Sequence, residues 1–145
     1  MASRRRWWRC SSRSARRAAA SAAPVFLVAD VAVTLDWYCA RLGFTGEGFP
    51  KAPPHAFGIV SRDAVEIMLQ HLEGYTKLRL YAKRGGGVWD AYVRMEGVRA
   101  LYDRVVAEGA VTIVEPLTRQ RYGNREFVVE DLNGYVLVLS EGPSA

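Results

Sequence analysis

Asp30–Gly43 reads DVAVTLDWYCARLG and Glu96–Gly109 reads EGVRALYDRVVAEG, and the fold turns on reading the second stretch as a copy of the first. A shift of 66 residues sets Asp30 on Glu96, Leu35 on Leu101 and Gly43 on Gly109. In the first stretch Val31, Leu35, Tyr38 and Leu42 fall at i, i+4, i+7 and i+11, one apolar face of a helix. Asp30 is placed to cap that helix, because its carboxylate can accept from the free amides of the first turn. Gly43 ends it, as a residue that tolerates positive φ. Each stretch follows a strand-like run, Pro24–Val28 or Val88–Arg94, and each is followed by more such runs. A later echo has a shift of 70 and sets Ala64–Leu69 on Gly134–Leu139. A four-residue insertion in the second copy accounts for the change of shift. Two copies of one strand–helix–strands module follow.

Working outward, module one spans residues 23–71. It has a strand at Val25–Ala29, the helix, a short strand and turn at Phe44–Phe49, a Pro-Pro loop at Lys51–His55, and strands Ala56–Ser61 and Val65–His71. Residues 72–87 form a linker ending in Gly85-Gly86-Gly87, with a possible short strand at Leu78–Ala82. The glycine triplet lacks the Lys-Ser/Thr that a phosphate-cradling loop needs. Module two spans 88–141: strand Val88–Met95, helix Val98–Glu108, strand Val111–Val114, loop Glu115–Asn124, strand Arg125–Glu130, a turn at Asn133-Gly134, and strand Tyr135–Ser140. Tyr135–Leu139 shows no alternation, so that strand should be covered on both faces. Residues 142–145 are a short tail.

Composition limits the function. The chain has 145 residues, half of them hydrophobic, enough for one compact domain or two small fused modules. It has no apolar run near 18 residues, so no membrane partner is expected. Cys10 and Cys39 are its only cysteines, which argues against a disulfide framework and for a reducing, cytoplasmic setting. The formal charge of +5 sits in the tail: residues 1–22 hold seven arginines and no acid, leaving 13 basic and 15 acidic residues, a net of −2, for the body. The tail is read as a disordered basic extension; being Arg- and Ser-rich and acid-poor, it also fits an organelle transit peptide. Its arginines could hold nucleic acid at low salt, but no specific nucleic-acid partner is expected.

Two stretches carry a family resemblance. One is Asp30-Val31, Trp37-Tyr38 and Leu42-Gly43-Phe44. The other is Tyr122–Tyr135, YGNREFVVEDLNGY, close to a G-x-R-E-F…D-P-x-G ending, although Leu132 stands where proline is usual. In this order, over Ala23–Glu141, the chain resembles the glyoxalase/bleomycin-resistance/extradiol-dioxygenase (vicinal oxygen chelate) superfamily, and most closely its metal-free bleomycin-resistance-like branch. The resemblance implies an α+β fold in which two βαβββ modules form curved half-barrel sheets, paired across a homodimer around a cleft.

Metal-dependent members of that family place His or Glu at four strand positions. Carried over by motif, these fall on Ala23, Met68, Trp89 and Val138, none of them a ligand for a hard metal ion. No metal or other cofactor is therefore expected. Glu66, near the Met68 slot, is assigned to the opposite strand face. His55 and His71 lie outside the slots and are read as exposed loop or edge residues. Cys39 is read as a small buried hydrophobe within a helix, and Ser61 and Ser140 lack a G-x-S-x-G elbow. What remains is an apolar, aromatic cleft. Its candidate ligand-binding residues are Trp89, Met68, Val138, Phe57, Trp37, Tyr122 and Glu126. Tyr92 is expected to face away from Trp89, and Arg125 and Glu126 to form a structural ion pair, with Glu126 facing a ligand as the alternative.

The leading expectation is a metal-independent homodimer that binds a small aromatic or cationic molecule, of the antibiotic-sequestering type. A metal-dependent lyase, isomerase or dioxygenase with displaced ligands would need His55, His71 and Glu66 to converge. A ligand-free interaction module is the third reading.

Overall fold

A computed structural model describes residues 19–143; the arginines at positions 4–17, and with them the tail's expected disorder, lie outside the described residues. The element order is β1 (Val25–Val28), α1 (Val31–Leu42), β2 (Thr45–Phe49), β3 (Phe57–Arg62), β4 (Val65–His71), α2 (Leu80–Arg84), β5 (Ala91–Arg94), α3 (Val98–Glu108), β6 (Thr112–Arg119), β7 (Arg125–Glu130) and β8 (Val136–Glu141). The strands form two four-stranded mixed sheets of the same design, ordered β1-β4-β3-β2 and β5-β8-β7-β6. In each sheet the first strand runs parallel to the last, and the other pairs are antiparallel. The fold is the α+β repeat expected from the sequence.

Local chemistry accounts for the elements. Asp30 accepts from the Val33 amide at 3.0 Å, and Gly43 closes α1 at φ 70°. The helix lies so close to its sheet that a Cβ on Gly58 would come within 2.8 Å of Val31 Cγ1. The residues facing α1 and α3 merge into one core that includes Phe26, Tyr38 and Leu69 from module one and Phe127, Leu137 and Leu139 from module two. Polar contacts tie the modules further. Phe26 stacks on Tyr135 at 4.0 Å, the Tyr135 hydroxyl donates to the Leu27 carbonyl at 2.7 Å, and Asn133 Nδ2 donates to Thr34 Oγ1 at 3.0 Å.

Three sequence expectations need correction. Leu78–Ala82 forms no strand; Leu80–Arg84 is a short helix, closed by Gly85 at φ 78° and carrying no buried residue. The segment pairs with no strand of either sheet. β5 begins at Ala91 rather than Val88, after a run of glycines with positive φ. β6 continues through Pro116 to Arg119, where a loop was expected after Val114. It is an edge strand, so the N–H that proline lacks is not missed, and register shifts absorb the irregularity. As expected, β8 is buried on both faces.

Candidate functional site

Alternation along β7 and β8 sends Phe127, Val129, Leu137 and Leu139 into the helix-covered core, and Glu126, Val128, Val136, Val138 and Ser140 to the other face, which α1 and α3 leave open and where these five side chains are nonetheless buried. Register sets Tyr92, Val138 and Val128 side by side across β5, β8 and β7, with Glu126 opposite Ser140. Val128, Val136 and Val138 make a buried apolar strip separate from the main core.

Glu126 closes one end of this strip and is only 5% exposed. Its carboxylate accepts from the Tyr92 hydroxyl, from Tyr122 at 2.7 Å and from Ser140 at 3.0 Å. Asn124 Nδ2 stands behind, 3.1 Å from Ser140 Oγ and 3.3 Å from the Tyr92 hydroxyl. Burial pushes the Glu126 carboxyl up, but the donors Tyr92, Tyr122, Ser140 and Asn124 together outweigh it and hold the group below the usual carboxylate range. The expected ion pair with Arg125 does not form, since adjacent strand residues point to opposite faces. Among the described residues no cation pairs with Glu126. A buried carboxylate is thus kept ionised by neutral donors alone.

The linker crosses the same face. Tyr81 packs on the valine strip and donates to Glu115 at 2.6 Å, which raises its pKa to about 12, chiefly through that hydrogen bond. Lys77 pairs with Asp90 at 3.1 Å and lies 5.1 Å from the Tyr135 ring centre, and Arg79 pairs with Glu130.

The sheet register also revises the slot assignment. Val25 pairs with Met68, and Tyr92 with Val138. Met68 and Val138 are repeat-mates, so β1 maps onto β5 with a shift of 67, one more than the helix ends suggest. The cause is that α1 has 12 residues and α3 has 11. The repeat-mate of Ala23 is therefore Asp90, and Trp89 stands beside it, 49% exposed and outside the strand. The same register puts Tyr92 on the Val138 face. Glu66, two residues from Met68, shares the Met68 face, as a period of two requires, and lines a hollow of about 380 Å³ with Thr45, Glu47 and Ile59.

Asp90 is the one carboxylate among the four slots, and it is committed to the Val136 amide at 2.8 Å and to Lys77. No cluster of three or more His, Cys, Asp or Glu suited to a metal ion occurs among the described residues. His55 Nδ1 donates to the Pro50 carbonyl at 2.8 Å, and His71 approaches Glu73; neither meets Glu66. The residues present do not fit the metal centre of metal-dependent relatives.

Of the residues nominated from sequence, Val138, Tyr122 and Glu126 come together on the second sheet's open face. Met68 and Phe57 lie on the open face of the first sheet, where Phe57 meets Phe49 at 6.2 Å. Trp37 sits on α1, partly buried against the main core and edge-on to Tyr38. Two hollows of about 580 Å³ flank β5, one toward Ala22–Pro24 and Ala64–Ile67, the other toward Arg62–Val65, and neither is lined by a nominated residue. Tyr92, Asp90 and Ser140 were missed, whereas Tyr81 was expected from sequence to lie in pocket or core and packs on the valine strip. Only the pairing of β5 with β8 reveals the first three. No helix among the described residues is long and apolar enough to cross a membrane.

Residues 21–139 match the model of the Glyoxalase/Bleomycin resistance protein/Dioxygenase superfamily. No curated protein matches the chain by sequence. Among solved structures, TioX from Micromonospora sp. ML1 is 20% identical, with 87% of this chain and 98% of that one covered and a TM-score of 0.67. The bleomycin-binding protein of bleomycin-producing Streptomyces verticillus, solved with copper(II)-bleomycin, is 19% identical over 90% of this chain and 100% of its own, with a TM-score of 0.60. A bleomycin resistance determinant encoded on the transposon Tn5 is 18% identical over 86% and 98%, with a TM-score of 0.62. At such identities the likeness is one of fold.

Proposed function

The chain belongs to the glyoxalase/bleomycin resistance/dioxygenase superfamily, and from that premise we propose that it is a metal-independent, cytoplasmic protein that binds a small aromatic or cationic molecule, in the manner of antibiotic sequestration. One observation carries this reading: an apolar strip, Val128–Val136–Val138, bordered by the carboxylates Asp90, Glu115, Glu126 and Glu130 and by the rings of Tyr92 and Tyr122. The strip supplies apolar contact, and the carboxylates select positive charge. Trp89, beside Asp90, adds a flat surface for stacking on a planar or cationic ligand.

A homodimer completes the site in this reading. Met68 and Phe57 on one chain's first sheet would face Val138, Tyr122 and Glu126 on the second sheet of another. Two clefts per dimer result.

Elemental analysis and sedimentation of dialysed, tag-free protein test the frame together. Metal far below one ion per chain, a dimer, and saturable quenching of tryptophan fluorescence by bleomycin or another cationic aromatic compound are expected. About one divalent ion per chain, lost on replacing His55 or His71, would overturn the proposal and restore a metal enzyme.

A further inference from the structure

The linker's contacts on the second sheet identify the chemistry that the open face accepts. Three side chains of this segment descend on the sheet, and each meets a carboxylate: Lys77 meets Asp90, Arg79 meets Glu130, and the Tyr81 phenol meets Glu115 while its ring covers the valine strip. An ammonium, a guanidinium and a phenol thus occupy the surface assigned above to a cationic aromatic ligand.

The rest of the segment is held lightly. None of the residues of α2 is buried, and Leu78 and Leu80 are 54% and 46% exposed. Glycines with positive φ flank it, Gly74 on one side and Gly85, Gly86 and Gly87 on the other, and a Cβ at Gly74, Gly85 or Gly87 would touch nothing within 4 Å. Flanking glycines and a poorly buried centre describe a segment of low local stability.

We infer that residues 75–84 are an internal pseudo-ligand: they hold the open face of the second sheet by the contacts a ligand would use, and a molecule carrying two positive charges on an aromatic frame displaces them. The inference rests on the reading of this face as the binding site and narrows its ligand class. Because the strap is tethered, its effective concentration reaches the millimolar range for short flexible links, and a ligand must outcompete it. A molecule that cannot replace both cations leaves Asp90 or Glu130 without its cationic partner and is rejected.

The test uses the full chain with Lys77→Ala, Arg79→Ala and Tyr81→Ala combined, and a synthetic peptide of residues 75–84, YTKLRLYAKR. Peptide binding is followed by fluorescence anisotropy, and circular dichroism melting reports folding. The triple variant is expected to bind the peptide at least about tenfold more tightly than the unaltered chain, and a further Glu130→Gln to remove most of that gain. The single Arg79→Ala variant, altered at a largely exposed side chain, should show a smaller gain. Equal binding by a folded variant and the unaltered chain, or no effect of Glu130→Gln, overturns the inference. Bleomycin titrated into the same samples separates the two levels. If it binds both proteins equally and the peptide binds neither, the pseudo-ligand falls while the binding function stands. If the peptide behaves as expected and no dicationic aromatic compound binds either protein, the ligand class is overturned and the strap's occupancy is not.

Discussion

The Tyr38 hydroxyl on α1 donates a 2.7 Å hydrogen bond to Asp131 in the turn between β7 and β8, joining residues 93 positions apart. Tyr38 is fully buried and Asp131 nearly so. Asp131 Oδ1 also accepts from the Asn133 and Tyr135 amides, at 2.8 and 2.9 Å. One carboxylate thus both shapes the turn before β8 and fastens module two to the helix of module one.

Tyr38→Phe therefore leaves a buried carboxylate short of a donor and should cost about 1–3 kcal/mol at neutral pH. Desolvation by burial raises the Asp131 carboxyl, and the donors Tyr38, Tyr135 and Asn133 only partly offset it. A carboxyl raised in the folded state contributes stability that is full below its unfolded range and is lost as pH rises through the folded pKa. Removing Tyr38's donor raises it further, so denaturation should show a larger loss at pH 7 than below the usual carboxylate range. An equal loss at both would mean that the bond matters only through packing.

Glu126 runs the other way. Its carboxyl is lowered, so its contribution is present above the usual carboxylate range and is lost as pH falls through the folded pKa. Glu126→Gln should flatten that acid limb of the stability profile. If Glu126 reads ligand charge, the same variant should weaken a bound cation about tenfold, about 1.4 kcal/mol, while a neutral analogue binds as before. Equal weakening of both ligands would assign Glu126 to shaping the site rather than to reading charge.

Gly58→Ala should destabilise by about 1–3 kcal/mol, because its Cβ would press on Val31 at 2.8 Å and Leu35 at 3.2 Å. Gly142→Ala, with open space at its Cβ, is the matched control and should be neutral. Comparable melting of the two variants would contradict the close seating of α1 on β3.

Trp89→Ala should leave thermal stability nearly unchanged, since the side chain is half exposed. If the indole stacks on the ligand, the change should weaken binding by roughly 1–3 kcal/mol. Titration of the variant with unaltered affinity would remove Trp89 from the site.

The site was only partly legible in the sequence. The linker pattern Leu78-Arg-Leu-Tyr alternates like a strand, yet the signal for a helix end was there: Lys83-Arg84 followed by Gly85, cations and then a left-handed cap. Pro116 read as a loop because a lone sequence does not say which strand lies at a sheet edge. Placing Trp89 rather than Asp90 opposite Ala23 came from aligning the helix ends, and a one-residue difference in helix length reverses the strand face that such an alignment assigns.

The sequence by itself determined the repeat, the cap at Asp30 and the stop at Gly43. It also determined the absence of His, Cys or Glu from Ala23, Met68 and Val138. These are local properties, written in spacing and side-chain chemistry within a few turns or one strand. Tertiary structure alone decided that Glu126 meets Tyr92 and Ser140, that Asp90 rather than Trp89 is the repeat-mate of Ala23, and that Tyr81 packs on the valine strip while Lys77 and Arg79 meet Asp90 and Glu130. Each of these depends on strand register or on a contact between distant segments. Sequence periodicity carries the period of a strand, but its phase relative to a neighbour is set only when the two are paired.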